Sequence, residues 1–104
     1  MKKIIKITNE IKEEVQTIVD VFNKKNKSKF LVRYRGRFLY LDKVDGFNIT
    51  QVARLEFDGN MKSWSFAVFK YSSERYDPDE WFFPGQSELD GTVEGALRAG
   101  LEIY

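Results

Sequence analysis

The stretch KFLVRYRGRFLYLDKV (residues 29–44) decides the fold. Two runs rich in aromatic, aliphatic and β-branched residues flank a glycine, which predicts a β-hairpin. With Arg35 and Gly36 as the two loop residues, we expect Val32 to face Leu39 across the hairpin. Because successive side chains of a strand point to opposite sides, the hairpin has two distinct faces. One is apolar and carries Phe30, Val32, Leu39 and Leu41, and the other carries Arg33, Phe38 and Tyr40.

Working outward, residues 51–57 and 62–71 predict a second hairpin. The turn-forming residues 58–61 join them. With Gly59 and Asn60 at the tip, Leu55 is expected to face Trp64. The buried face then continues through Ala53, Leu55, Phe57, Trp64, Phe66 and Val68. The opposite face carries Val52, Arg54, Glu56, Ala67, Phe69 and Tyr71.

Helical periodicity appears on both sides of the two hairpins. The first apolar stripe, Ile11, Val15, Ile18, Val19 and Phe22, predicts a helix over residues 9–25. The second stripe, Val93, Leu97, Leu101 and Tyr104, predicts a helix over residues 91–103. We therefore predict an α+β two-layer sandwich of order α-β-β-β-β-α. A four-stranded antiparallel meander has the N- and C-terminal helices on one face.

Composition narrows the classes of function. The 104 residues suffice for a single domain over 1–104, and they include no cysteine and no histidine. The common nucleophile and general-base arrangements need those residues, so we expect no enzyme activity and no cofactor. No apolar run is long enough for a membrane span, and no apolar segment follows the basic N-terminus as in a signal peptide. We therefore expect a cytoplasmic protein with no membrane partner.

Charge is distributed unevenly along the chain. Residues 1–43 hold 12 Lys or Arg against 5 Asp or Glu, whereas residues 44–104 hold 5 against 11. The simplest interpretation is that the two halves fold together and neutralise each other. The alternative is a nucleic-acid-binding module, because cations beside aromatic rings on a sheet face can hold phosphates and stack bases. Its candidate residues are Lys27, Lys29, Arg33, Arg35, Arg37, Phe38 and Tyr40.

Residues 72–90 are predicted to be irregular, because they contain both prolines of the chain. The aromatic run 81–83 needs cover from water. As a lid it would lie over Phe38, Tyr40, Phe69 and Tyr71, bringing Asp77, Asp79 and Glu80 near Arg33, Arg35 and Arg54. As an anchor it would bind a protein partner, most simply a second copy in a homodimer. The predicted function is therefore a small non-catalytic interaction module, with candidate contact residues Trp81, Phe82, Phe83, Tyr71 and Phe69.

One carboxylate cluster in this segment has the ligand type of a metal site. Asp77, Asp79 and Glu80 could supply oxygens to Mg²⁺ or Ca²⁺. The ligand number is low, and an Asp-Pro-Asp sequence is more often a turn in which aspartate side chains bond the local backbone. We therefore predict no metal site.

Three segments carry a resemblance to other proteins: GRFLYLD (residues 36–42), RYDPDEWFFPG (75–85) and DGTVEGAL (90–97). Over its last two-thirds the chain resembles a group of small uncharacterised microbial proteins, a resemblance that implies no activity, ligand or functional residue. The order of elements is also loosely similar to that of double-stranded-RNA-binding domains. Those domains place lysine and glycine at the start of the second helix, where this chain has acidic residues.

Overall fold

The structure of the chain is a computed structural model, which describes residues 6–80 and 82–103. Two residues with predicted roles, Trp81 and Tyr104, lie outside the described residues. Along the described chain an α-helix is followed by five β-strands, a short 3-10 helix and a second α-helix. The predicted α+β class and antiparallel sheet are confirmed.

The sheet is a meander in which each strand pairs antiparallel with the next one along the chain. Its strands are β1 (Lys29–Arg35), β2 (Phe38–Asp45), β3 (Asn48–Glu56), β4 (Ser65–Lys70) and β5 (Arg75–Asp77). The prediction of four strands is wrong, because a turn over residues 71–74 sends the chain back along β4. Residues 72–90 therefore contain a short strand as well as irregular structure.

The predicted hairpin registers are also wrong, each by two residues. Val32 pairs with Leu41, because the β1–β2 loop is Gly36 and Arg37 rather than Arg35 and Gly36. Gly36 has a φ of 61°, so the residue that tolerates positive φ stands at the first loop position. A shift by an even number of residues keeps every side chain on its predicted face.

The same applies between β3 and β4, where Leu55 pairs with Phe66 and not with Trp64. The connection is longer than a tight turn, and side chains stabilise it. The Asp58 carboxylate accepts a hydrogen bond from the N–H of Asn60, and the Asn60 side chain accepts one from the N–H of Lys62.

One predicted face is wrong for a different reason. The register of β2 and β3 slips between Leu41 and Asp42, which leaves Val52 as an extra residue on β3. Such a bulge lets two successive residues avoid strict alternation. Val52 and Ala53 are both fully buried in the core, so Val52 is not on the open side where alternation predicted it.

Both helices pack on one core with the sheet. Helix α1 (Asn9–Lys25) begins after Thr8, whose hydroxyl accepts a hydrogen bond from the N–H of Ile11. Helix α2 (Val93–Ile103) begins after Thr92 and contacts α1 directly. We call the sheet face that packs against them the helix face. The core they share includes Val15, Val19, Phe22, Phe30, Leu39, Leu41, Val52, Leu55, Trp64, Val93 and Leu97.

Candidate functional site

We call the opposite side of the sheet the open face. Part of it is covered by the side chain of Tyr76, which belongs to β5. The Tyr76 ring lies 5.3 Å from that of Tyr40 on β2 and 4.9 Å from that of Phe69 on β4. Its hydroxyl also accepts hydrogen bonds from Gln51 Nε2 at 3.2 Å and Arg33 Nη2 at 3.4 Å. A single side chain from the last strand therefore covers much of this face.

Two arginines complete this cover. Arg33 bonds both carboxylate oxygens of the buried Asp42, at 2.6 and 3.0 Å, and its guanidinium lies 5.0 Å above the Tyr40 ring. The hydrogen bond that Arg33 donates to Asp42 raises the pKa of Arg33 further above its usual value. Arg54 lies 4.5 Å above the ring of Phe38. The aromatic rings in this part of the open face are therefore occupied by the protein's own cations.

The lid predicted from residues 81–83 is wrong for Phe82 and Phe83, and Trp81 lies outside the described residues. Tyr76, which was not part of that prediction, covers Tyr40 and Phe69 instead, and Phe69 is buried. Phe83 stacks on Phe66, a residue of the helix face, at 5.5 Å. Phe82 is 93% exposed.

The acidic residues of the same segment form no ion pairs with the arginines for which they were predicted as partners. Glu80 and Asp77 lie 2.9 and 3.9 Å from the ammonium group of Lys70. Asp77 also accepts a hydrogen bond from the N–H of Asp79, as in a turn. The prediction that this segment neutralises Arg33, Arg35 and Arg54 is therefore wrong.

Towards the end of the sheet near the β2–β3 turn, the open face is not covered. Side chains from four neighbouring strands follow one another across it, and several are apolar and exposed. Strand alternation and register place Leu31, Val44 and Ile49 there. Tyr71, the residue after β4, lies beside Gln51 of β3, and Phe47 is at the turn itself. We call these five residues the apolar strip. Ile49 is 63% exposed and Phe47 fully exposed, and the Tyr71 hydroxyl accepts a hydrogen bond from the N–H of Gln51.

The residues proposed for nucleic acid are not brought together as a stacking platform. Lys29 donates hydrogen bonds to the carbonyls of Asn23 and Asn26 at the end of α1, and Arg37 pairs with Glu56 at 2.8 Å. Phe38 and Tyr40 lie beneath arginines. Lys27 and Arg35 are exposed and take part in no ion pair within the described residues.

The described part of the chain has no helix that is both long and apolar enough to cross a membrane. It also contains no group of three or more acidic side chains placed to hold a metal ion. The features that the described residues do present are exposed surfaces, namely the apolar strip and the cations Lys27 and Arg35.

Comparisons with known proteins give no assignment. The chain matches no protein-family model, no curated protein and no solved structure.

Sequence reasoning missed two features of this face. The position of Tyr76 on the open face could not be predicted from the sequence, because a strand of three residues is too short to show an alternation of apolar and polar side chains. The exposure of Leu31 could have been found, since alternation places it beside Arg33 and no predicted element covers it.

Proposed function

We propose that this domain is a non-catalytic interaction module that binds a protein partner through the apolar strip, most simply a second copy of itself. The observation that carries the proposal is the division of the open face. Tyr76 and the arginines cover one part, while Leu31, Ile49 and Phe47 remain exposed in the other. Contiguous exposed apolar side chains of this kind mark contact surfaces in soluble proteins.

A second copy is the simplest partner because the strip crosses the sheet from β1 to the residue after β4. A two-fold axis through its centre would bring Tyr71 of one copy onto Leu31 of the other. The same patch would then serve both copies, and the contact closes at two. The tyrosine and phenylalanine of the strip fit the aromatic enrichment of protein interfaces.

Sedimentation velocity over the micromolar concentration range tests the proposal. Phe47→Ser should shift the distribution towards monomer. Phe82→Ser is the matched control, because Phe82 is equally exposed but lies outside the strip. A wild-type protein that stays monomeric throughout, or an equal effect of both substitutions, would contradict the proposal.

Nucleic-acid binding is the second candidate, favoured by the exposed cations Lys27 and Arg35, which have no acidic partner among the described residues. Binding of single-stranded RNA or DNA should then weaken steeply with salt, because each neutralised phosphate releases counterions. Arg35→Ala should flatten that dependence more than Arg37→Ala, since Arg37 is paired with Glu56. A low-salt anisotropy titration without binding would exclude this candidate.

A further inference from the structure

Only half of the outer edge of β4 is paired with another strand. Strand β5 pairs with Val68, Phe69 and Lys70, and β4 begins three residues earlier, at Ser65. Pro78 follows β5 directly, and a proline has no N–H with which to continue the ladder. No described strand therefore pairs with residues 65–67 on this edge.

The backbone groups that this edge presents can be identified. The N–H of Trp64 points outward, since it donates to the carbonyl of Gly91 at 2.8 Å. Backbone groups alternate between the two sides of a strand, so the N–H and C=O of Phe66 point outward as well. Within the described chain, neither group of Phe66 has a hydrogen-bond partner. One donor and one acceptor thus stand ready for another strand.

A cleft of about 460 Å³ lies along this edge, a volume typical of ligand sites. Much of its wall is apolar and includes the stacked rings of Phe66 and Phe83, with Pro78 and Leu89. Trp64 also lines it. The Trp64 side chain is 4% exposed, and its indole N–H is buried with no acceptor within the described chain. The indole N–H cannot be reached from the cleft, so Trp64 contributes ring surface to its wall and no accessible donor.

The charged residues that line the cleft indicate which kind of ligand it would bind. The described residues lining the cleft include two carboxylates, Glu56 and Glu80, and no lysine or arginine. The hydrogen bond from Lys70 lowers the pKa of Glu80, so this group stays ionised well below neutral pH. Both carboxylates already have one cationic neighbour, Arg37 and Lys70 respectively, and both pairs are partly exposed to water. A ligand cation can therefore join each pair.

We propose that this cleft binds an extended peptide segment carrying lysine or arginine between apolar residues, added to β4 as a further strand. The peptide backbone pairs with the outward N–H and C=O of Phe66. Its apolar side chains lie against Phe83 and Pro78, and its cations approach Glu56 and Glu80. Main-chain pairing supplies affinity and the alternate side chains supply specificity, as in other cases of strand addition. The site is separate from the apolar strip and does not depend on self-association.

Fluorescence anisotropy with a labelled, acetylated Val-Lys-Val-Lys-Val-Lys amide tests the proposal on the full chain. The basic peptide should bind, and the same peptide with glutamate in place of lysine should bind at least tenfold more weakly. A third peptide, N-methylated at alternate residues, loses the strand hydrogen bonds and should also bind more weakly. Failure of the basic peptide to bind, or equal binding of all three, would overturn the proposal.

Variants and chemical shifts locate the site. Glu80→Gln should weaken binding of the basic peptide about two- to threefold. Glu74→Gln, with the same change of charge in the exposed β4–β5 turn, should have no effect. In ¹⁵N spectra the largest shift should fall on the backbone amide of Phe66. Shifts confined to the apolar strip would contradict the assignment.

Discussion

Gly85 allows a prediction that joins the stability of the domain to the shape of its peptide cleft. The residue has a φ of 86°, and a Cβ placed on it would lie 2.7 Å from the carbonyl oxygen of Ala99 and 2.9 Å from its Cα. Both atoms belong to the backbone of α2. We therefore expect Gly85→Ala to push residues 82–89 away from the helix.

The magnitude follows from two separable costs. Alanine at positive φ costs about 1–2 kcal/mol wherever it occurs. An ordinary carbon–oxygen contact is about 3.3 Å or longer, so the segment must also retreat by about 0.6 Å. Crowding of a packed site on this scale costs about 1–3 kcal/mol. Gly59 provides the control, because its φ is 101° and a Cβ there would meet no atom within 4 Å.

Urea denaturation measures both variants. Gly59→Ala should lower the free energy of unfolding by about 1–2 kcal/mol. Gly85→Ala should lower it by about 2–5 kcal/mol, the sum of the two costs. Gly85→Ala should also weaken binding of the basic peptide, because Phe83 is two residues away and forms a wall of the cleft. Equal destabilisation by the two substitutions would refute the steric argument.

Three further outcomes are expected. Asp42→Asn should cost about 1–2 kcal/mol of stability in urea, more than Glu56→Gln, because Asp42 is buried beneath Arg33 whereas the Arg37–Glu56 pair is exposed. Burial lowers the pKa of Lys43 below 10.5, so the unfolded chain binds more protons just below that pH. Wild-type stability should therefore rise relative to Lys43→Met as pH approaches 10.5, and a constant difference would contradict this. Asn23→Ala should produce larger species in light scattering, since it uncovers the β1 edge, and an unchanged profile would refute that role.

The sequence predicts which face a side chain occupies more reliably than which residue it pairs with. Both hairpin registers were wrong by two residues, yet Arg33 and Tyr40 lie on the open face as alternation requires. Moving a two-residue loop by one position shifts the pairing by two, and the period of a strand is also two. The alternating pattern therefore predicts which face of the sheet a side chain occupies, while the pairing register depends on the geometry of one turn.

Features that break the period could not be predicted in the same way. Val52 and Ala53 are consecutive apolar residues, and nothing in their order marks the bulge that buries both. Strand β5 is too short to show an alternating pattern. Its role depends on the contacts of Tyr76 with Tyr40 and Phe69, which lie on two other strands. Contacts of this kind are decided by packing, so the covered part of the open face emerges only from the structure.

The uneven charge of the two halves has a different explanation from the one the sequence favoured. The ion pairs of the described residues are mostly local, such as Arg33 with Asp42 and Lys70 with Glu80. Among the described residues, only the Arg37–Glu56 pair joins the two halves, so the halves neutralise each other little through ion pairs. The basic strand β1 stands at one edge of the sheet, and the carboxylate-lined cleft beside β4 lies near the other.

Head-to-tail pairing of these two edges between copies would build rings or filaments rather than a closed dimer. The fold contains a device against this at Phe30 of β1. The Asn23 side chain accepts a hydrogen bond from the N–H of Phe30 at 2.8 Å and donates one to its carbonyl at 3.0 Å. It therefore occupies outward backbone groups that a neighbouring strand would need. The edge beside β4 has no such cover at Phe66 within the described chain, which leaves it for a peptide from another protein.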